Sequence, residues 1–180
     1  LSWSLFYTAL FAMEQTPTID VTDPDGLVRR RALQARTDGL RTTLNGAETH
    51  RTFAGSFLAE SFGAPVQHIA FSCPDIFETA EALIHEGFEP LVMHANYYAD
   101  LIARFDLTAK VLEKMQRLNI LYDEEEGAGF YQLYSRPKEG AIFFEILQRD
   151  AGYNGYGAAN APYRIAAQKR LMRTKGMPKK

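Results

Sequence analysis

The chain has 180 residues, which is enough for one domain with a substantial hydrophobic core. Hydrophobic residues make up 46% and charged residues 23%, and the net charge of −2 gives no indication of a nucleic-acid or acidic-membrane partner. No apolar run approaches the ~20 residues of a membrane span. The single cysteine excludes an intramolecular disulfide and fits a reducing compartment, so we expect a cytoplasmic protein.

The first third of the chain predicts a helix, two strands and a second helix. In the opening segment, apolar and aromatic residues recur at helical spacing: Trp3, Phe6, Tyr7, Leu10 and Phe11. Polar and apolar residues alternate over residues 27–35 and 40–44, which predicts two strands joined by a turn at residues 37–39. Residues 52–62 predict a short helix, with Gly63 as its stop signal.

The rest of the chain predicts one strand, several helices, three more strands and a final helix. A strand at residues 66–72 precedes a helix that Asp75 caps and that ends near His85. The further elements, in chain order, are helices at 99–105 and 108–117, a strand at 119–122, an acidic turn at 123–127, a strand at 129–135, a turn at 137–140, a strand at 141–149, a Gly- and Tyr-rich loop at 152–159, and a last helix with a basic tail.

The order of these elements predicts a repeated βαβββ module in an α+β fold. Residues 63–180 contain a complete module and a C-terminal helix, and residues 1–62 contain the same unit without its opening strand. The chain also lacks an initiator methionine and begins within a helical pattern. We therefore expect a fragment of a longer protein whose first module is truncated, and the two parts together should form one domain.

Two polar residues lie in strands that should be buried. His68 occurs within the sequence VQHIAF, and Glu145 within FFEILQR. Strand alternation allows His68, Gln132 and Glu145 to reach one common side of a sheet. An imidazole and a carboxylate that converge in this way are two parts of a 2-His-1-carboxylate metal site. A plain His68–Glu145 or Arg149–Glu145 pair in the core explains the same residues, so both interpretations stay open.

Long, ordered motifs relate the chain to a known family. They are VQHIAF, DIFETAEAL, NYYADL, LNILYDEEEG, FYQLYSRP, FFEILQR and GYGAAN, which together cover most of residues 63–165. In this order they resemble the C-terminal domain of 4-hydroxyphenylpyruvate dioxygenase, of the vicinal-oxygen-chelate superfamily. The resemblance implies βαβββ modules that form a curved mixed sheet, and an Fe(II) or other divalent-metal site for a 2-oxo acid and dioxygen.

The resemblance also implies roles for individual residues. His68 and Glu145 match two iron ligands, and the family's other histidine ligand would lie upstream of Leu1. Gln132, Tyr156 and Asn160 match residues of the substrate pocket or of the gating helix beside it. The implied ligand is a small 2-oxo acid or a related aromatic or hydroaromatic acid. Whether identical chains assemble is left open.

Two departures from the dioxygenase sequences, and a resemblance to one branch of the family, bear on the substrate. Residues 52–54 read Thr-Phe-Ala where the dioxygenases have Ser-Gln-Ile, and Ala161 follows Asn160 where they have a phenylalanine that stacks on the substrate ring. The start LSWSLFYTALF and the tail GYNGYGAANAPYRIAAQ resemble the domain fused behind a barrel in bacterial 3-dehydroshikimate dehydratases. That branch implies that the barrel performs the dehydration, which leaves an accessory, non-catalytic role for this domain as the alternative to dioxygenase activity.

Overall fold

The computed structural model describes residues 2–23, 25–37, 39–61, 63–137 and 142–173. The chain divides into two compact units, residues 1–63 and 64–180. The predicted turns at 37–39 and 137–140, the start of the strand predicted at 141 and the end of the basic tail lie partly or wholly outside the described residues. Among the described residues, every helix is too short or too polar to cross a bilayer.

The first unit packs two helices with an antiparallel sheet. Its elements are α1 (Ser2–Phe11), β1 (Glu14–Gln15), β2 (Ile19–Asp23), β3 (Gly26–Gln34), β4 (Arg41–Ala47) and α2 (Phe53–Glu60). The long strand β3 pairs with β2 and β1 along one edge and with β4 along the other. Thr52 begins α2 because its hydroxyl accepts a hydrogen bond from the amide of Gly55, which satisfies a free N–H at the helix start.

The second unit has the predicted order of one strand, several helices and three strands. Its elements are β5 (His68–Ser72), α3 (Ile76–His85), α4 (Ala95–Arg104), α5 (Ala109–Leu118), β6 (Leu121–Glu125), β7 (Ala128–Tyr134), β8 (Phe143–Arg149), a 3-10 turn (Ala158–Asn160) and α6 (Ala161–Arg173). The helix starts follow local chemistry, since Asp75 and Thr108 cap the amides that open α3 and α5. The helix α5 ends at Asn119, which takes the left-handed conformation.

The strands of this unit form a mixed sheet in the order β5-β8-β7-β6 within the described residues. Only the β5/β8 pair is parallel, and the others are antiparallel. Since side chains alternate along each strand, the register assigns one face of this sheet to His68, Gln132 and Glu145. The α+β class and the common face, both expected from the sequence, are therefore present.

Three details of the predicted elements were wrong. The strands β1 and β2 were not predicted, since a two-residue strand and a strand rich in polar residues give little periodic signal. The acidic segment that begins at Asp123 was assigned to a turn, but its first three residues continue β6 and pair with β7. The helix α4 begins at Ala95, four residues earlier than expected, because the side chain of His94 caps it.

Candidate metal and ligand site

His68 and Glu145 lie side by side on neighbouring parallel strands. His68 pairs with Phe143, and Glu145 pairs with Ala70, so both side chains project from the same face. The Nε2 atom of His68 is 3.5 Å from Oε2 of Glu145, and the two side chains are 18% and 7% exposed. A buried carboxylate with such a neighbour avoids much of the cost of an unpaired charge.

Aromatic rings surround this pair. The imidazole of His68 stacks on the ring of Phe143, with centres 4.9 Å apart and planes 9° from parallel. Tyr134 pairs with Glu145 across the antiparallel β7/β8 ladder, and its ring meets that of Phe143 edge to face at 6.0 Å. The rings fix the orientation of His68 and limit the access of water to the carboxylate.

Gln132 holds the carboxylate from the other side. Its amide Nε2 donates to Oε1 of Glu145 at 2.7 Å and to the hydroxyl of Tyr134 at 2.6 Å, while its Oε1 accepts from Nδ2 of Asn160 at 2.8 Å. Gln132 is only 1% exposed. Both ends of its amide therefore bind protein groups, and in this arrangement Gln132 orients Glu145.

Asn160 connects Gln132 to α4. The hydroxyl of Tyr97 accepts from the backbone amide of Tyr122 at 2.7 Å, and it lies within donating distance of Oδ1 of Asn160, at 2.9 Å. Burial raises the pKa of Tyr97, which keeps this hydroxyl protonated. Gly157 permits the close approach, because it has a left-handed φ of +59° and any side chain there would collide with the amide of Gln132.

Tyr156 lies near Arg149, further along β8 than Glu145. The guanidinium carbon of Arg149 is 5.8 Å from the centre of the Tyr156 ring. An Nη1 group of Arg149 also donates to the backbone carbonyls of Tyr153 and Gly155, at 3.2 and 2.6 Å. Arg149 lies four positions beyond Glu145 along the strand, or about 13 Å. The structure therefore brings together His68, Glu145, Gln132 and Asn160, and places Tyr156 toward the other end of the strand.

The His68–Glu145 pair has the spacing of two metal ligands. Ligands about 2.1 Å from one metal ion lie about 3 Å apart at right angles and about 3.4 Å apart at a tetrahedral angle. The observed 3.5 Å fits this range after a small movement. Within the described ranges, however, no group of three or more His, Cys, Asp or Glu side chains could hold a metal ion.

Sequence reasoning missed three residues around this pair. They are Tyr97, which anchors Asn160, Arg164 on α6, whose guanidinium lies over the rings of Phe143 and Tyr134, and Gln168, which accepts a hydrogen bond from Arg164. The motif NYYADL contains Tyr97, but nothing in its pattern distinguishes a tyrosine with hydrogen-bond partners from one without. Residues four apart, such as Arg164 and Gln168, share one side of a helix, but this spacing does not reveal which strands that side faces.

Comparisons with known proteins agree with the motifs. No protein-family model matches the chain. The chain is 42% identical over 167 residues to 3-dehydroshikimate dehydratase of Pseudomonas putida and 40% identical over 173 residues to that of Pseudomonas aeruginosa. It is also 28% identical over 160 residues to 4-hydroxyphenylpyruvate dioxygenase of Pseudomonas aeruginosa. These matches cover 92%, 96% and 88% of the chain, but only 26%, 27% and 44% of the relatives.

Solved structures show the same relationship. A fusion protein of a xylose isomerase-like TIM barrel and 4-hydroxyphenylpyruvate dioxygenase superposes with a TM-score of 0.76 at 39% identity, over 94% of this chain and 27% of that one. A triple mutant of 4-hydroxymandelate synthase from Streptomyces coelicolor superposes with a TM-score of 0.79 at 25% identity, over 95% of this chain and 50% of that one.

The chain thus spans about a quarter of the length of the dehydratases and less than half that of the dioxygenase. Its sequence matches both groups of proteins, and its fold matches the fusion protein and the synthase. The family resemblance expected from the motifs is confirmed. The chain is a 4-hydroxyphenylpyruvate dioxygenase-like domain with the vicinal-oxygen-chelate fold, similar over most of its length to part of the 3-dehydroshikimate dehydratases and to part of the TIM-barrel fusion protein.

Proposed function

We propose that this domain holds a divalent metal ion, Fe(II), for chemistry on a 2-oxo acid and dioxygen. His68 and Glu145 supply two ligands, and a histidine upstream of Leu1 supplies the third. The observation that carries this proposal is the 3.5 Å distance between Nε2 of His68 and Oε2 of Glu145 on adjacent strands. When bound, such an ion supplies Lewis acidity and redox chemistry with open coordination positions.

The surrounding residues would prepare the two ligands for that ion. The amide of Gln132 fixes the carboxylate of Glu145, as outer hydrogen bonds commonly do at metal sites. Stacking on Phe143 fixes the ring plane of His68 and turns Nε2 toward Glu145. The neighbouring rings exclude water, which strengthens the electrostatic interactions of an ion held there.

Metal binding by the full-length protein tests the proposal. Under anaerobic Fe(II) dialysis, we expect His68→Ala to weaken metal binding at least ~100-fold, since loss of an outer hydrogen bond alone costs about 10–100-fold. His85→Ala is the matched control, because that side chain is 84% exposed and lies beside Glu86. A wild-type protein without metal, or equal metal content in the two variants, would favour a plain core pair.

The substrate class is tested separately from the metal. We expect oxygen uptake with one or more aryl 2-oxo acids in the Fe(II)-loaded full-length protein. 4-Hydroxyphenylpyruvate itself should be a weak substrate, because Ala161 offers no ring where the dioxygenases have a stacking phenylalanine, a contact worth ~0.5–1.5 kcal/mol. A metal-loaded protein that consumes no oxygen across such a panel would contradict the dioxygenase proposal.

The second candidate is an accessory, metal-binding domain of a 3-dehydroshikimate dehydratase. The 42% identity to the Pseudomonas putida protein of that name favours it. In this case dehydration by the full-length protein should survive His68→Ala. Loss of dehydration in a variant that stays folded would show that this domain takes part in the reaction. For either candidate we infer a small organic acid as ligand and a cytoplasmic location.

A further inference from the structure

A positively charged side chain of α6 lies over the rings beside the candidate metal ligands. The guanidinium carbon of Arg164 is 5.1 Å from the ring centre of Phe143 and 5.5 Å from that of Tyr134. Phe143 stacks on His68, and Tyr134 pairs with Glu145, so the guanidinium lies over rings that neighbour the two candidate ligands. Arg164 is half-buried, so solvent still reaches it.

Gln168, one turn further along α6, orients Arg164. Its Oε1 accepts a hydrogen bond from Nη1 of Arg164 at 2.7 Å. Gln168 is fully buried, and its Nε2 has no hydrogen-bond partner among the described residues. Since the two polar atoms of one amide are about 2.3 Å apart, this donor lies within about 5 Å of the guanidinium. A buried donor without a partner is costly, and a bound ligand would satisfy it.

We propose that Arg164 and Gln168 form a subsite on α6 that binds a carboxylate group of the ligand. This inference rests on the proposed function, since the same ligand would reach His68 and Glu145. A guanidinium has five N–H donors in a planar fork that matches the two oxygens of a carboxylate, and the unpartnered Nε2 of Gln168 lies beside it. The flanking aromatic rings provide a weakly hydrated setting in which such a bond is strong.

The carboxylate can come from two parts of a ligand. It is either the carboxylate of the 2-oxo acid itself or a second carboxylate on its ring. A purely structural role is the rival interpretation, in which Arg164 serves only to balance the charge of Glu145. The two interpretations differ in one measurable respect, because only the subsite makes the effect of replacing Arg164 differ between charged and neutral ligands.

The experiment uses the metal-loaded full-length protein and isothermal titration without oxygen. The probes are phenylpyruvate, its neutral amide, and 4-carboxyphenylpyruvate. The variants are Arg164→Gln, Arg164→Lys and, as a matched control, Arg170→Gln, which removes an exposed charge from the same helix. Metal content and thermal unfolding are measured for each, so that loss of folding is recognised.

We expect Arg164→Gln to weaken binding of phenylpyruvate at least ~10-fold while leaving the amide and the metal content unchanged. Arg164→Lys should lie between the wild type and Arg164→Gln, because it keeps the charge and loses the planar fork. If Arg164→Gln removes only the affinity that 4-carboxyphenylpyruvate has in excess of phenylpyruvate, the subsite binds the ring carboxylate. Arg170→Gln should change none of these values.

Equal changes for charged and neutral probes, or no change at all, would overturn the subsite. So would a metal-loaded wild type that binds none of the three probes. If the wild type holds no metal and Arg164→Gln still lowers carboxylate affinity selectively, the subsite stands and the proposed metal function fails.

Discussion

The carboxylate of Glu145 is buried, where an isolated charge would be unfavourable. His68 approaches one of its oxygens, and the amide of Gln132 donates to the other. Each oxygen thus has a defined neighbour, which leaves the carboxylate with a preferred orientation. The unusual buried residue is explained by this geometry whether or not a metal is bound.

Replacement of Gln132 by leucine tests how much stability the hydrogen bonds of this one amide contribute around Glu145. Gln132→Leu keeps the volume but leaves Glu145 and Asn160 without their bonds to it, so we expect a loss of about 2–4 kcal/mol in unfolding free energy. Urea denaturation measures it. Gln116→Leu on the exposed face of α5 is the control and should change stability by less than ~0.5 kcal/mol. Equal losses of unfolding free energy in the two variants would argue against the hydrogen bonds that Gln132 makes to Glu145 and Asn160.

At the scale of elements, the hydroxyl of Tyr97 connects α4 to the 3-10 turn and so to the candidate site. Tyr97 of α4 joins the backbone of β6 to Asn160, which in turn holds Gln132. The neighbouring Tyr98 is buried to a similar extent, but its hydroxyl has no hydrogen-bond partner among the described residues. Two adjacent tyrosines therefore differ in hydrogen bonding and hardly at all in burial.

This contrast predicts opposite results for two conservative variants. Tyr97→Phe should lower the unfolding free energy by about 1–3 kcal/mol, because it leaves the backbone amide of Tyr122 and the side-chain oxygen Oδ1 of Asn160 without this partner. Tyr98→Phe should be neutral or slightly stabilising, since it removes a buried polar atom that makes no bond. Chemical denaturation of both variants at neutral pH provides the measurement. A larger loss for Tyr98→Phe would show that the assigned bonds are wrong.

The elements also show what the sequence could predict. The predicted cap at Asp75 placed the start of α3, and strand alternation placed the face shared by His68 and Glu145. The helix α5 was expected from residue 108 and begins at Ala109. These features are local, so a single sequence contains them. The side-chain network was not predictable in the same way. The contact between Asn160 and Gln132 joins residues 28 apart, and the position of Arg164 depends on how α6 packs on the sheet.

At the scale of the molecule, the described residues of the candidate site all belong to the second unit. All of its described members lie between His68 and Gln168. The same unit contains a group of tyrosines whose pKa values are raised, mainly by burial: Tyr97, Tyr98, Tyr122, Tyr131, Tyr153 and Tyr163. Buried hydroxyls therefore make the stability of this unit sensitive to alkaline pH.

The direction of that sensitivity follows from proton linkage. Below about pH 10, tyrosines are protonated in both the folded and the unfolded state. Above it the unfolded chain releases protons that the folded unit retains, so stability falls as pH rises, by up to ~1.4 kcal/mol per pH unit for each deeply buried tyrosine such as Tyr97 and Tyr98.

We expect tyrosinate absorbance and the loss of circular dichroism to rise together in one transition above pH 10. Tyr98→Phe should shift that transition to higher pH, because one buried ionisable group is gone. The chain has nine tyrosines, so ionisation of more than the three outside this group near pH 10, with the circular dichroism intact, would mean that hydroxyls of the group are open to solvent in the folded protein.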